Sequence, residues 1–313
     1  MAVRTGLLLL LFTVALTACS GASASDPLEM RVNTPTPTPI PPTPTPVPEE
    51  PIELILSTTQ VYQAGTVLIS VTGDVRAGTI HFLGREHPLT RGDHSMYSFV
   101  GIDVDDPPGS HQARVEFETH NGSRGTLEAT IEVLNTEWDV DYLYFEPGEA
   151  DDLLAPGVAQ EEAALLADIY DRYTAEKLWD AQWLVPTEGG ITARFGSQRS
   201  INDGPPGGHH SGTDIGAPEG TPVIATNSGF VIMSRYLDVR GYMVIIDHGG
   251  GLLSGYAHLS EINVSEGQQI AAGDLVGGVG NTGLSTGPHL HWEMSVHGVL
   301  VDPWRFVDGS NGF

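Results

Sequence analysis

The stretch Gly287-Pro288-His289-Leu290-His291-Trp292-Glu293 places two histidines one residue apart near the end of a 313-residue chain. The residues from His291 to Val296 are rich in β-formers and predict a strand. Because side chains alternate along a strand, His289 and His291 are expected to project from the same face. One imidazole can then bind a metal ion while its neighbour moves a proton. The spacing alone leaves open which histidine does which.

A second pair of metal-binding side chains lies upstream, at His210 and Asp214. The glycines at positions 207, 208, 212 and 216 disfavour a helix and predict a loop that leads into a strand. An offset of four is even, so His210 and Asp214 share a face in an extended chain. Two imidazoles and one carboxylate suit Zn²⁺ and leave its fourth position open for water. A further histidine, His258, lies in another strand-like run.

Three blocks of the sequence resemble the signature motifs of lysostaphin/LytM-type zinc endopeptidases. They are HHSGTDIGAPEGTPVIA from residue 209, IIDHGGGLLSGYAHLS from residue 245 and GNTGLSTGPHLHWEM from residue 280. The blocks occur in the order found in that family, and the resemblance covers roughly residues 186–306. It implies that the chain contains a peptidase domain with an antiparallel β-sheet and an open groove.

The same resemblance implies roles for five residues. His210, Asp214 and His291 would bind one zinc ion per chain, and His258 and His289 would be the catalytic histidines. The implied reaction is hydrolysis of a peptide bond in peptidoglycan cross-links or stem peptides. Two alternatives stay open: a zinc peptidase that processes exported proteins, and a non-catalytic lipoprotein that binds or scaffolds the wall.

The first residues have the pattern of an export signal. Arg4 is followed by an apolar run from Leu7 to Leu16, which is too short to span a bilayer permanently. Leu16-Thr17-Ala18-Cys19 resembles a bacterial lipobox, which predicts a signal peptide at residues 1–18 and a lipid on Cys19, the only cysteine. The alternative is ordinary cleavage after residue 24. We therefore expect an exported protein, anchored to the membrane by lipid and facing the cell wall or periplasm.

Residues 19–50 are expected to be the lipid anchor and a tether. Thr and Pro alternate from Thr34 to Pro48, which favours an extended polyproline II spacer of about 3.1 Å per residue. The net charge of −26, with Lys177 as the only lysine, argues against nucleic acid or an anionic membrane surface as the partner. The lipid anchor is therefore the only membrane contact that the sequence predicts.

The predicted fold class is mainly β, with three parts after the tether. Residues 51–135 alternate apolar and polar between frequent turns, which predicts a β-sandwich; this part also resembles the immunoglobulin-like domain found before such peptidases. Residues 136–185 are acidic and predict a linker with a helix from Pro156 to Trp179. Residues 186–313 predict the antiparallel zinc peptidase domain, which we expect to be a separable unit.

Three features near the histidines need a separate interpretation. Glu293 shares the strand face of His291, so it either hydrogen-bonds that histidine or lies exposed at the edge of a groove. Residues 278–283 match G-x-G-x-x-G, but no helix pattern follows them, so the pattern predicts a turn instead of a dinucleotide site. His209 has an odd offset from His210 and is expected to point away from the site.

Overall fold

The computed structural model describes residues 50–145, 148, 156–180 and 182–310. These residues are mainly in strands, with a single α-helix among them, which confirms the predicted fold class. None of the described helices is long and apolar enough to cross a membrane. The predicted signal peptide, Cys19 and the Pro/Thr tether lie outside the described residues.

The first part of the described chain forms two β-sheets with a shared core. Its strands are β1 Glu53–Leu56, β2 Gln60–Tyr62, β3 Thr66–Thr72, β4 Ala77–Phe82, β5 Arg85–Pro88, β6 Thr90–Arg91, β7 Met96–Gly101, β8 Gly109–Glu118 and β9 Arg124–Leu134. They pair in the orders β1-β3-β7-β6 and β2-β9-β8-β4-β5. Alternate apolar side chains of both sheets, such as Ile69 and Val115, are fully buried in one cluster. This is the two-sheet packing predicted for residues 51–135, and its likeness to immunoglobulin-like domains stays a prediction.

The remaining elements build the second part. They are β10 Val140–Leu143, α1 Pro156–Tyr170, β11 Gly190–Ala193, β12 Gln198–Ile201, β13 Gly207–His209, β14 Thr213–Gly216, β15 Pro222–Ile224, β16 Gly229–Leu237, β17 Gly241–Gly249, β18 Leu252–Leu259, β19 Glu261–Ile262, β20 Gln269–Ile270, β21 Leu275–Gly278, β22 His289–Val296, β23 Val299–Val301 and a 3-10 helix Pro303–Phe306. The central sheet has the order β11-β14-β22-β18-β17-β16-β20, and β23 also pairs with β22. All its neighbours are antiparallel, as predicted.

Residues 136–185 are less helical than predicted. The helix is confirmed from Pro156, but it ends at Tyr170, nine residues before Trp179. Beyond the helix, Leu178 donates a backbone hydrogen bond to His248 of β17, and Thr174 accepts one from Gly250 in the turn that follows β17. Earlier in the same segment, β10 pairs in parallel with β12. Tertiary hydrogen bonds thus draw both ends of this segment onto the second part of the chain.

The two faces of the central sheet have different partners. One face, with Tyr256 and Trp292, packs into a cluster that also contains Phe99 of β7. The opposite face, with Ile245, is covered by α1 through side chains such as Leu166. Strand β7 of the sandwich therefore shares a hydrophobic core with the sheet that carries the histidine motif. The limits of the separate domains stay predictions.

This shared core leads to a prediction for Phe99→Ala. Phe99 is fully buried in the cluster with Trp292, so its removal should lower the free energy of unfolding by about 3–5 kcal/mol and weaken the motif-bearing part as well. The measurement is thermal denaturation of the zinc-loaded protein, followed by tryptophan fluorescence and by zinc release. Phe82→Ala is the matched control, because Phe82 is 1% exposed and packs in the sandwich cluster. If residues 186–313 are an independent unit, zinc release in both variants will occur at the parent's temperature.

Candidate metal centre

The register of β22 brings distant parts of the sequence together. This strand lies between β14 and β18 and is antiparallel to both. His291 is directly opposite Asp214 on one side and Ala257 on the other. The even offset between His289 and His291 thus places both side chains on one face of β22, as predicted, and Asp214 of the adjacent β14 lies opposite His291.

Three predicted metal-binding atoms meet on that face. Asp214 Oδ1 lies 3.1 Å from His210 Nε2 and 2.7 Å from His291 Nδ1. His210 Nε2 and His291 Nδ1 are 3.0 Å apart. A tetrahedral zinc ion with bonds of about 2.0–2.1 Å holds its ligand atoms about 3.3 Å apart. The three atoms are therefore close to the spacing that such an ion needs, and all three residues are buried.

The other atoms of these side chains are oriented by neighbouring groups. His210 Nδ1–H donates to the carbonyl of Arg194 at 2.9 Å, and burial lowers the pKa of His210 to about 4, so Nε2 is unprotonated at neutral pH. Asp214 presents its other oxygen, Oδ2, to Arg199 at 3.4 Å. Partners of this kind fix the direction of metal ligands and the tautomer of ligand histidines. The arrangement fits a cation placed between His210 Nε2, Asp214 Oδ1 and His291.

Glu293 hydrogen-bonds the back of His291, so the alternative of an exposed Glu293 is wrong. Its side chain is fully buried, and its Oε1 accepts from His291 Nε2–H at 2.9 Å. Arg240 donates to the same oxygen at 2.8 Å. Burial opposes ionisation of Glu293, but Arg240 and the hydrogen bond from His291 keep its pKa well below the usual range. His291 thus lies between two carboxylates, an environment that favours positive charge at this imidazole, whether from a proton or from a metal ion.

The two remaining motif histidines lie beside this cluster. The imidazole centroids of His258 and His289 are 4.8 Å apart, and His289 Nε2 lies 3.6 Å from Asp214 Oδ1. His258 Nδ1–H donates to the carbonyl of Thr282 at 2.7 Å, and His289 Nδ1–H donates to that of Gly287 at 2.8 Å. Each ring therefore keeps Nε2 as a proton acceptor. Burial is the main reason why the pKa of both histidines is lowered.

His258 reaches the site through an irregularity in β18. Strict alternation would turn it toward the face of Tyr256, which is the hydrophobic core. Between the pairs Tyr242–Leu259 and Val244–Tyr256 the register shifts by one residue, so two residues of β18 oppose one of β17. His258 has a φ of 58°, in the left-handed region that non-glycine residues rarely occupy. Bulges of this kind re-aim side chains, and here the bulge turns the imidazole toward His289.

A groove runs past these histidines. His258, His289 and Asp214 line it together with Ser285 and Thr286 of the preceding loop and with Arg199 of β12. Its far wall is formed by Leu143 and Phe145, from the segment predicted as a linker. The sequence analysis did not identify Arg199 or Arg240, because neither lies in a motif and both reach the site through strand pairing or a turn. His209 lies outside the site as expected, since its Nδ1–H donates to the carbonyl of Gly196 at 2.6 Å.

The fold and the donor set together define the domain as one of the zinc metallopeptidase class. Residues 208–303 match Peptidase family M23, so the chain contains an M23 peptidase domain over these residues. This confirms the resemblance seen in the three sequence blocks. The turn at residues 278–283, which is followed by a loop and then by β22, lies within the matched region.

The sequence matches to named relatives cover about a third of this chain. Over 96 residues the chain is 46% identical to peptidoglycan DD-endopeptidase ShyA of Vibrio cholerae, a match that covers 31% of this chain and 22% of ShyA. Over 94 residues it is 43% identical to DD-carboxypeptidase/endopeptidase Mpg of Neisseria meningitidis, which covers 30% of this chain and 22% of Mpg. A crystal structure of a Pseudomonas aeruginosa protein assigned to peptidase M23 aligns with a TM-score of 0.58 at 25% identity, over 79% of this chain and 94% of that one. The chain thus spans less than a quarter of these two named relatives, whereas the structural likeness extends beyond the M23 domain.

A glycine of the first motif block gives a test of the metal centre. A Cβ at Gly212 would lie 2.5 Å from the carbonyl oxygen of Trp292 and 2.8 Å from the imidazole of His291, so Gly212→Ala must displace His291 or its strand. We expect zinc affinity to fall roughly 10–100-fold, the range seen when a metal ligand loses its orientation. Competition with a chromogenic chelator measures this. Gly207→Ala is the control, because a Cβ there meets nothing within 4 Å; equal affinity in the two variants would contradict the described packing of His291.

Proposed function

We propose that this protein is a zinc-dependent endopeptidase that hydrolyses peptide bonds in peptidoglycan cross-links or stem peptides at the cell surface. The observation that carries the proposal is the meeting of the four motif histidines and Asp214 in one cluster. The M23 match over residues 208–303 supports the reaction class.

In this proposal His210, Asp214 and His291 hold one zinc ion. Their donor atoms lie 2.7–3.1 Å from one another, close to the spacing of three corners of a tetrahedral site. Zinc held by these three ligands would supply a Lewis acid, which would polarise a carbonyl and lower the pKa of water toward about 7. The protein fixes the ion's position through Glu293 and Arg199, which hold the outer atoms of His291 and Asp214.

His258 and His289 are the proposed catalytic histidines. Both are neutral near pH 7, because burial lowers the pKa of each ring. Their Nδ1–H groups are held by backbone carbonyls, so Nε2 is the atom that accepts a proton from the attacking water and returns it to the leaving amine. An imidazolium formed in this way also stabilises the oxyanion of the tetrahedral transition state.

The substrate class is inferred from the relatives and from the shape of the site. ShyA is named a peptidoglycan DD-endopeptidase, and Mpg a DD-carboxypeptidase/endopeptidase. The groove beside His258 and His289 is lined by both polar side chains, such as Ser285, and apolar ones, such as Leu143. A substrate in the wall requires export, which agrees with the signal peptide predicted at residues 1–18.

Paired variants of the His-x-His strand test both the activity and the division of roles. His291→Ala removes a ligand, so zinc and activity should be lost together. His289→Ala should keep nearly one zinc per chain and lose turnover by roughly 10²–10⁴-fold, as expected for a lost proton-transfer group. Zinc content and the fragments released from purified sacculi, identified by mass spectrometry, are measured on the same preparations.

Each other outcome has a definite meaning. Zinc loss in His289→Ala but not in His291→Ala would invert the assignment of the pair. Full activity in alanine variants of all five residues would end the zinc peptidase proposal. A parent protein that cleaves exported polypeptides but no sacculi of any cross-link type would support the processing alternative, and one that binds sacculi without cleaving them would support the scaffolding alternative.

We further propose that Cys19 carries lipid and anchors the protein outside the membrane. Diacylated cysteine adds two acyl chains, and each buried CH₂ contributes about 0.8 kcal/mol to membrane attachment. Cys19→Ser should therefore move the protein from the membrane fraction to the soluble exported fraction, as measured by fractionation and immunoblotting. Unchanged membrane association of Cys19→Ser, with the parent run beside it, would contradict the anchor.

A further inference from the structure

Helix α1 lies outside the M23 match, yet it is packed on the same side of the sheet as the metal centre. The helix covers Met243 and Ile245 of β17 and Leu253 of β18 through its apolar side chains. His291 and Glu293 of β22 project from this face too, because Leu290, Trp292 and Met294 occupy the opposite core. The C-terminal end of α1 therefore abuts the buried side of the site.

The last residue of α1, Tyr170, touches the carboxylate behind the metal centre. Its side chain is 3% exposed, and its hydroxyl donates to Glu293 Oε2 at 2.5 Å. The other oxygen of Glu293, Oε1, accepts from His291, Arg240 and Ser211. Among the described residues, Tyr170 is the only side chain bonded to Oε2. The phenol thus fixes the rotation of the carboxylate that holds His291.

A glycine leaves the space that this hydrogen bond needs. Gly255 of β18 lies opposite Glu293 in the sheet. A Cβ on Gly255 would lie 2.4 Å from the Tyr170 hydroxyl oxygen and 3.2 Å from Glu293 Oε2. A larger residue at position 255 would therefore displace the phenol or the carboxylate. This explains in structural terms why the second sequence block has a glycine here.

A second side chain of α1 holds the other partner of Glu293. The carboxylate of Glu162 accepts from the backbone N–H groups of Val239 and Arg240 at 2.7 and 2.9 Å. These residues form the turn between β16 and β17, from which the Arg240 guanidinium reaches Glu293 Oε1. The helix thus secures both the hydroxyl and the guanidinium that surround one buried carboxylate.

We infer that Tyr170 is a positioning residue of the metal centre, which acts on His291 through Glu293. The inference rests on the proposed assignment of His291 as a zinc ligand. A hydrogen bond from the outer nitrogen of a ligand histidine to a fixed carboxylate sets the ring's rotation and strengthens its inner nitrogen as a donor. Helix α1 is then part of the zinc site, although it lies outside the M23 match. Its last residue, Tyr170, precedes that match by almost forty residues.

The test is the zinc affinity of Tyr170→Phe in the full chain, measured by chelator competition, together with the visible absorption spectrum of the Co²⁺-substituted protein. Tyr170→Phe keeps the buried ring and removes the hydroxyl, so zinc affinity should fall roughly 10–100-fold and the cobalt bands should shift. Tyr256→Phe is the matched control. Tyr256 is also fully buried and its hydroxyl bonds Thr226 and Ser254, but it lies on the opposite face of the sheet.

A double-mutant cycle with Gly255 separates positioning from packing. Gly255→Ala should weaken zinc binding in the parent. The loss should be much smaller in the Tyr170→Phe background, because the hydroxyl that the new methyl group would contact is absent there.

Parent-like affinity and spectrum in Tyr170→Phe, or equal losses in Tyr170→Phe and Tyr256→Phe, would overturn the inference. Should Tyr170→Phe fail to fold, Gly255→Ala alone carries the test, and parent-like zinc binding there is the contrary result. His291→Ala, titrated alongside, shows whether the ligand assignment itself has failed, because that variant would then retain zinc.

Discussion

The position of β22 between β14 and β18 is the constraint on which the rest of the site depends. Backbone hydrogen bonds set Asp214 opposite His291 and Gly255 opposite Glu293. A slip of one residue in either pairing would exchange the faces, because side chains alternate along a strand. Such a slip would turn His289, His291 and Glu293 of β22 into the apolar core. It would also turn Trp292 toward the face that carries the metal centre. Burial of Trp292 therefore helps to hold the metal-binding residues in register.

The sequence was sufficient to predict much of the fold and which side chains the fold brings together, while their roles stay predictions. The even offsets between His210 and Asp214 and between His289 and His291 predicted a shared face, because an extended chain has a fixed period of two. The β22 strand and the antiparallel sheet were likewise predictable from local pattern. The motif blocks supplied the ligand assignment that alternation left open.

What the sequence could not provide depends on contacts between distant residues. His258 faces the site only because a bulge and a positive φ interrupt the alternation that would have turned it into the core. Glu293 allowed two interpretations, since a strand face does not reveal what covers it; α1 and Arg240 cover it here. The helix end at Tyr170 was missed for a similar reason, because the chain beyond it bonds to distant residues: Thr174 pairs with Gly250 and Leu178 with His248.

Each carboxylate at the proposed zinc site is paired with a guanidinium, and this pairing determines how much of the charge of a bound zinc ion the protein would balance. Glu293 is balanced by Arg240 at 2.8 Å, and Asp214 has Arg199 at 3.4 Å. A buried charge that loses its partner is costly, so each carboxylate is tolerated here because a guanidinium accompanies it. Since both carboxylates are already paired and His258 and His289 are neutral, the protein leaves the charge of a bound Zn²⁺ largely unbalanced. In a chain of net charge −26, this buried site would then present positive charge toward the groove, where the proposed reaction would develop an oxyanion.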